Sequence, residues 1–166
     1  MIEVAKKRVF NKANILCCDL NKELPFNDNT FDMIISSLTL HYVNNLEETF
    51  KEFKRILKPN STLLYSIHHP FMNFKKNHEE NYFDSHLKSE TWKKGEKNPV
   101  SVEIKFHHRS FEKIINTTTK FFILDKIVEP RPVKDFKKID EKNYSYLNKN
   151  PHFLIIKASK NHSDNK

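Results

Sequence analysis

Two histidine positions carry side chains that this sequence could use for proton transfer. His41 follows an apolar run that ends at Ser36 and Ser37, and His69 follows the apolar run 62–67. An imidazole titrates near neutral pH and can remove a proton from a nucleophile, so we identify His41 and His69 as candidate catalytic bases. The chain has nine histidines, so packing or capping is the commoner explanation for any one of them.

Polar side chains also end the apolar runs that we interpret as strands. Asp19 follows the run 15–18, and Ser36 and Ser37 end the next run. Ligands of parallel sheets lie at the carboxyl ends of the strands, where a carboxylate can accept a hydrogen bond. We therefore expect ligand contacts here, with a turn cap as the alternative role for Asp19.

The two cysteines help to decide whether the chain binds a metal and in which cellular compartment it functions. Cys17 and Cys18 are adjacent, which gives neither a disulfide framework nor a zinc-binding pattern. They fall in the predicted strand 15–18, where buried thiols are usually unreactive. No metal site is predicted. The sequence shows no signal peptide and no apolar run of about 18 residues, so we expect a cytoplasmic protein without a membrane span.

Apolar periodicity predicts alternating strands and helices over the first 67 residues. The predicted strands are 15–18, 33–36 and 62–67, and the predicted helices are 2–12 and 46–57. Asn45 is positioned to cap the second helix. Continuous apolar runs are typical of strands covered on both faces, and strand–helix–strand alternation favours a parallel sheet.

The second half of the chain is less regular. Its predicted segments are an insert at about 68–106, a helix at 110–120, an antiparallel pair of edge strands at 121–128 and 153–158, and a polar tail at 161–166. The insert is interpreted as a long polar loop. We expect one domain over residues 1–160, built on a twisted sheet of about five strands.

Charge and glycine content narrow the classes of function. The formal net charge is +8, and Gly95 is the single glycine. One glycine excludes a glycine-rich phosphate- or dinucleotide-binding loop within these residues. The basic residues are scattered and mostly lysine, whereas phosphate and base recognition favour clustered arginine. Nucleic acid is therefore not the expected partner.

Short motifs follow one another in a specific order. The first set is CDL at 18–20, ELPF at 23–26, NTFDMIISS at 29–37, LHYV at 40–43 and FKRILKP at 53–59. The second set is HPF at 69–71, YF at 82–83, Trp92, HHRS at 107–110, EP at 129–130 and PHFL at 151–154. Together they resemble class I S-adenosylmethionine-dependent methyltransferases, in the branch related to quinone-biosynthesis methyltransferases. Asn60 and Ser61 replace two family glycines, and asparagine tolerates the positive φ that such a turn needs.

This resemblance implies a Rossmann-like α/β fold. It also implies an enzyme that transfers a methyl group from S-adenosylmethionine to a small molecule. The cofactor contacts that it implies are Asp19 at the adenine amino group, Leu20 on the adenine ring, and Ser36 and Ser37 on the sulfonium side. The expected residues of a substrate pocket or lid are Tyr82, Trp92, His108 and Arg109, and covering an edge of the core is the alternative role of the aromatic ones. Oxygen, nitrogen and carbon acceptors share this scaffold, so the acceptor atom stays open.

The family has further elements before the position of Met1: a strand, a glycine-rich loop, a helix and a second strand that ends in an acidic residue. We therefore expect an N-terminally truncated form whose partial sheet lacks the first two strands, which binds the cofactor weakly and is inactive alone. A complementing N-terminal segment is the expected partner. The alternatives are a non-catalytic pseudoenzyme or partner subunit and, less favoured, an RNA methyltransferase.

Overall fold

The computed structural model describes residues 2–75, 81–94 and 100–161, so Gly95 and most of the predicted tail lie outside the described residues. The helices are α1 (Ile2–Val9), α2 (Leu46–Ile56), α3 (Pro70–Lys75), α4 (Phe111–Phe121), α5 (Phe136–Ile139) and α6 (Glu141–Leu147). The strands are β1 (Phe31–Ser37), β2 (Leu57–His68), β3 (His86–Lys94), β4 (Val100–His108), β5 (Ile123–Val128) and β6 (Phe153–Ser159). None of the helices in these ranges is long and apolar enough to cross a membrane.

The main sheet has four strands in the order β1-β2-β6-β5. β1 and β2 are parallel, whereas β6 is antiparallel to both β2 and β5. The α/β class, the parallel pairing of β1 with β2, and the antiparallel pair of β5 with β6 are thus confirmed. The sheet differs from the predicted one in having four strands instead of about five.

Helices cover one face of the sheet. Phe50 of α2 packs on Tyr65 of β2 with ring centroids 5.4 Å apart, and the Tyr65 hydroxyl lies 2.6 Å from Thr118 Oγ1 of α4. On the other face of β1, Met33 is 51% exposed and Ile35 is 67% exposed. The prediction that β1 is covered on both faces is therefore wrong.

Local capping sets the ends of the two long helices. The Asn45 side chain accepts hydrogen bonds from the amides of Glu47 and Glu48, which confirms the predicted cap of α2. The Ser110 hydroxyl accepts one from the Lys113 amide and caps α4 in the same way. After α2, Asn60 adopts a φ of 61°, the positive value that was expected of it in place of glycine.

The predicted strand 15–18 is absent, because these residues are irregular and pair with no strand in the described part of the chain. Cys17 and Cys18 are exposed, which corrects the prediction that they are buried. A run of apolar residues becomes a strand only where a neighbouring strand satisfies its backbone groups, and here β1 ends the sheet.

The insert is more ordered than predicted. It holds α3 and a hairpin in which β3 and β4 pair antiparallel from His86↔His108 to Lys94↔Val100. The long-loop interpretation of 68–106 is therefore wrong for the described residues. The connection between β5 and β6 was also expected to be a loop and instead contains the short helices α5 and α6.

Candidate active site

The candidate site lies where the parallel strands β1 and β2 end. After β1 the chain turns at Leu38, which adopts a positive φ of 50° and whose amide donates to the carbonyl and the hydroxyl of Ser66. A positive φ is costly for leucine, and such strain is often found at functional sites. This turn brings the next residues, a 3-10 turn at Leu40–Tyr42, back over the end of β2.

His41 is the central side chain of this region. It is 5% exposed, and neither of its ring nitrogens has a hydrogen-bond partner among the described residues. Its ring stacks on His68 with centroids 4.3 Å apart and meets Phe106 edge-on at 6.2 Å. It lines a partly open cavity of about 20 Å³ together with Leu40, Leu46, Tyr65, Ile67, His68, His107, Arg109 and Ile114.

The electrostatics of this cavity are set by burial and by neighbouring cations. Burial, the charge of His68 and the charge of Arg109 lower the pKa of His41 from 6.5 to about 4. Burial also lowers the pKa of Arg109 to about 10 and lowers that of His107. His41 is therefore neutral at physiological pH, while Arg109 carries a charge.

His69, the second predicted base, lies outside this cavity. Its Nε2 is 2.8 Å from Glu129 Oε1, and its Nδ1 accepts a hydrogen bond from the Phe71 amide. Both ring nitrogens are thus bonded, with Nε2 as the donor to the carboxylate. His69 is fully buried between Phe71 and Phe111, so it joins β2 to α3 as part of an aromatic cluster.

The predicted substrate-pocket residues separate into three places. Arg109 lines the cavity with His41. Tyr82 and His108 contact one another outside it: His108 Nε2 donates to the Tyr82 carbonyl, and the Tyr82 hydroxyl accepts from the Phe111 amide. Trp92 borders a separate cleft, where its ring centroid is 6.3 Å from that of His68.

Asp19 occupies an exposed turn instead of a strand end. Its Oδ1 accepts hydrogen bonds from the Asn21 amide and the Asn21 side chain, each 3.0 Å long. These bonds lower the pKa of Asp19. The carboxylate is thus a turn cap in this conformation, the alternative role considered for it, and its assignment to adenine stays a prediction.

Leu20, Ser36 and Ser37 do come together. They border one open groove along the outer edge of β1, whose walls also include Leu24 and Phe26. The loop of Leu24 and Phe26 is held by Arg55 of α2, which donates to the carbonyls of both residues and pairs with Glu52 and Asp28. The groove therefore has a fixed wall, and its end at Ser36 and Ser37 meets the carboxyl end of the strand.

Sequence reasoning missed His107 and the stacking of His68 on His41. Both residues are direct neighbours in sequence of predicted residues, His108 and His69. The alternation of side chains along a strand could have revealed His107, because adjacent residues of β4 point to opposite faces and only one of His107 and His108 can face the cavity.

The sheet and the helices on its face resemble the fold of class I methyltransferases. Residues 1–65 match the family model described as "Methyltransferase domain". Over 86% of this chain and 68% of the other, the fold is similar to that of an S-adenosylmethionine-dependent methyltransferase from Mesorhizobium loti, with a TM-score of 0.61 and 19% sequence identity. At that identity the likeness shows the fold alone.

Two curated proteins share shorter segments. The Malonyl-[acyl-carrier protein] O-methyltransferase of Priestia megaterium is 39% identical over 67 residues, which are 40% of this chain and 24% of that protein. The mitochondrial Arginine-hydroxylase NDUFAF5 of Homo sapiens is 46% identical over 41 residues, 25% of this chain and 12% of that protein. The chain thus matches a quarter or less of either relative. The resemblance to class I S-adenosylmethionine-dependent methyltransferases is confirmed.

Proposed function

We propose that this protein contributes the acceptor side of a methyltransferase that moves a methyl group from S-adenosylmethionine to a small molecule. The observation that carries the proposal is His41, a buried imidazole whose two nitrogens lack partners while it lines a cavity at the end of β2. Buried polar atoms without partners are rare and need a role. A ligand atom in the cavity would satisfy one of these nitrogens.

Among the two predicted bases, we propose His41 as the side chain that meets the substrate. Both nitrogens of His69 are already hydrogen-bonded, to Glu129 and to the Phe71 amide. A catalytic group must lie within hydrogen-bond reach of the atom on which it acts. To act as a base, His69 would first have to break its hydrogen bond to Glu129. Among the described residues, His41 has no such bond to break.

The groove along β1 fits part of the cofactor. We propose that Ser36 and Ser37 hold its methionine end and that Leu20 packs on adenine, because an apolar wall beside exposed strand-end polar groups suits a nucleoside. The second carboxylate oxygen of Asp19 is left to accept from the adenine amino group. When bound, S-adenosylmethionine supplies a methyl group on a sulfonium, and methyl transfer then depends mainly on alignment.

Asp19→Ala tests the cofactor assignment. We expect it to weaken S-adenosylmethionine binding by about ten- to a hundred-fold by calorimetry, because a charged hydrogen bond in the site is lost. The measurement uses the chain together with the segment proposed below, since cofactor binding by the 166 residues alone is expected to be weak. Methyl transfer to candidate small molecules is assayed in parallel.

Asp140→Ala is the matched control for that experiment. Asp140 accepts hydrogen bonds from the amide and the side chain of Asn143, as Asp19 does from Asn21, but it caps α6. Both variants should lower the melting temperature, and only Asp19→Ala should weaken cofactor binding. Unchanged cofactor binding in Asp19→Ala would show that Asp19 only caps its turn. If the unsubstituted protein does not bind the cofactor, the result would favour the alternative function, a non-catalytic partner subunit.

We also propose that a further strand-forming segment, in the same polypeptide or on a separate chain, pairs with β1. Three observations support this. β1 has a sheet partner on one side only among the described strands. Its outer face exposes Met33 and Ile35. Such an edge is a template for another strand, and the solved relative described above has about a third of its length outside the aligned region.

Ile35→Lys tests the segment. The side chain is 67% exposed, so the substitution should leave the melting temperature of the chain unchanged within about 1 °C. It should weaken association with a co-expressed strand-forming segment at least about tenfold in a titration, because a lysine would be buried. Ile139→Lys, at an 81% exposed position on α5, is the control. Equal affinity in both variants would contradict the proposal.

The quinone-biosynthesis branch and the cytoplasmic location stay proposals. Two adjacent exposed thiols, Cys17 and Cys18, fit a reducing compartment. The names of the two curated relatives indicate different substrates, so they do not identify the methyl acceptor of this chain.

A further inference from the structure

The cavity at His41 has an unusual charge balance. Its lining includes the nitrogen-bearing side chains of His41, His68, His107 and Arg109 and the hydroxyl-bearing Tyr65, and no carboxylate of the described residues borders it. Arg55, another partly buried cation of this protein, pairs with the carboxylate of Glu52. Buried charges are normally paired, so a lining without a carboxylate among the described residues is unusual.

Arg109 is held in a fixed orientation by the backbone. Its Nη2 donates to the Val43 carbonyl at 2.6 Å and to the Asn44 carbonyl at 3.0 Å. These bonds anchor one corner of the guanidinium and leave the donors on Nε and Nη1 without a protein acceptor in the described ranges. A guanidinium with donors to spare can give a carboxylate a charge-assisted hydrogen bond.

The burial of Arg109 makes an anionic ligand favourable. Burial lowers its pKa to about 10, and no acidic neighbour offsets this effect. An anion that enters the cavity would neutralise the guanidinium in a region of reduced dielectric, where the attraction between charges is stronger than in water.

His41 adds a second donor to the same cavity. The neutral imidazole carries one N–H, and neither of its nitrogens has a described partner. Burial, and after it the charges of His68 and Arg109, lower the pKa of His41 to about 4, so the ring is a weak acceptor of protons at neutral pH. A hydrogen bond from its N–H to an anion uses the ring without requiring it to act as a base.

The size of the cavity favours a small planar anion. Its volume of about 20 Å³ has room for one water-sized atom. A carboxylate can place one oxygen there. A phosphate has more oxygens around a tetrahedral centre and fits such a space less well.

We propose that this cavity binds a carboxylate of the substrate, with Arg109 as its cationic anchor and the N–H of His41 as a second donor. The inference rests on the proposed function, because it specifies the class of small molecule that occupies the acceptor side of the same site. It also changes the expected role of His41 from base to hydrogen-bond donor.

Acetate, with acetamide as its neutral counterpart, tests the proposal on the 166-residue chain without S-adenosylmethionine. The histidine ring nitrogens are followed by NMR in ¹⁵N-labelled protein at neutral pH and constant ionic strength, and His41→Phe identifies the His41 signals. We expect acetate to shift them saturably and acetamide to leave them unchanged. Arg109→Gln should weaken acetate binding at least about tenfold, because a charge-assisted pair is lost.

Arg131→Gln is the matched control, because Arg131 is exposed in the connection after β5. It should leave acetate binding unchanged. Equal shifts with acetamide, tighter binding of inorganic phosphate than of acetate, or an Arg109→Gln variant that is less stable but binds acetate normally would each overturn the proposal. Because no cofactor is present, these outcomes are independent of the cofactor-binding test of the methyltransferase function.

Discussion

Lys160→Met is expected to lower the free energy of unfolding by about 3 kcal/mol. The ammonium group of Lys160 is buried and donates to the Leu57 carbonyl at 2.7 Å, the Lys54 carbonyl at 2.8 Å and Asn29 Oδ1 at 3.0 Å. Two of these acceptors are carbonyls at the carboxyl end of α2, which the helix itself leaves unsatisfied. The methionine would leave them buried without this donor and would remove a cation from the negative end of the helix dipole.

Lys157→Met is the control for this substitution. Lys157 is on the same strand, β6, but it is half-exposed and its ammonium group is 3.9 Å from Asp125. Surface pairs of this kind contribute little, so the change should stay within about 0.5 kcal/mol. Urea unfolding followed by circular dichroism measures both variants. Equal stability losses in the two variants would show that the bonds of Lys160 to α2 are not stabilising.

The helices could be predicted because their signals are local. Asn45 and Ser110 cap the first turns of α2 and α4, and each cap acts on amides within three residues. The parallel pairing of β1 with β2 also follows from local pattern, because a helix between two apolar runs favours it. The role of Lys160 could not be predicted, because Asn29 and Leu57 are 131 and 103 residues away along the chain.

Two of the errors in the fold have different causes. The run 15–18 has strand composition but no adjacent strand in the described structure, and composition alone does not reveal whether a neighbour exists. The β3–β4 hairpin did leave a signal. Val100, Val102, Ile104 and Phe106 alternate with polar residues, which is the period of a half-buried strand. The polar composition of the surrounding segment obscured that period.

Single residues of the candidate site could be predicted from the sequence, but their proximity could not. His41 was selected for its imidazole and Arg109 from the resemblance, but their meeting depends on the strained turn at Leu38 and on the end of β4. The stacking of His68 on His41 likewise arises because β2 is long enough to reach the 3-10 turn. The sequence therefore identifies candidate side chains, whereas the positions of the strand ends determine which of them line the same cavity.

The stability of the protein is expected to fall as the pH is lowered from 6.5 to about 4.5, and His41→Gln should reduce that fall. The pKa of His41 is about 4 in the folded protein against 6.5 for the free side chain. Above pH 6.5 the ring is neutral in both states and has no effect. Between the two pKa values the unfolded chain takes up a proton that the folded chain excludes, so stability decreases as the pH falls.

Several groups around His41 contribute to this window. Arg109 stays charged throughout it, and His107 also has a lowered pKa and adds to the same trend. Carboxylates with lowered pKa, such as Glu52, stabilise the fold above about pH 4.5 and lose that contribution only below it. The change in stability between pH 6.5 and pH 4.5 therefore reflects the histidines.

Thermal melts across this interval make the measurement. The unsubstituted protein should lose about 5 °C in melting temperature, and His41→Gln should lose distinctly less, because glutamine cannot take up the proton. His107→Gln should have a smaller effect, since His107 is less buried than His41. An identical pH slope in His41→Gln and the unsubstituted protein would mean that the folded protein admits a proton at His41, and the neutral donor assigned to the carboxylate site would then be wrong.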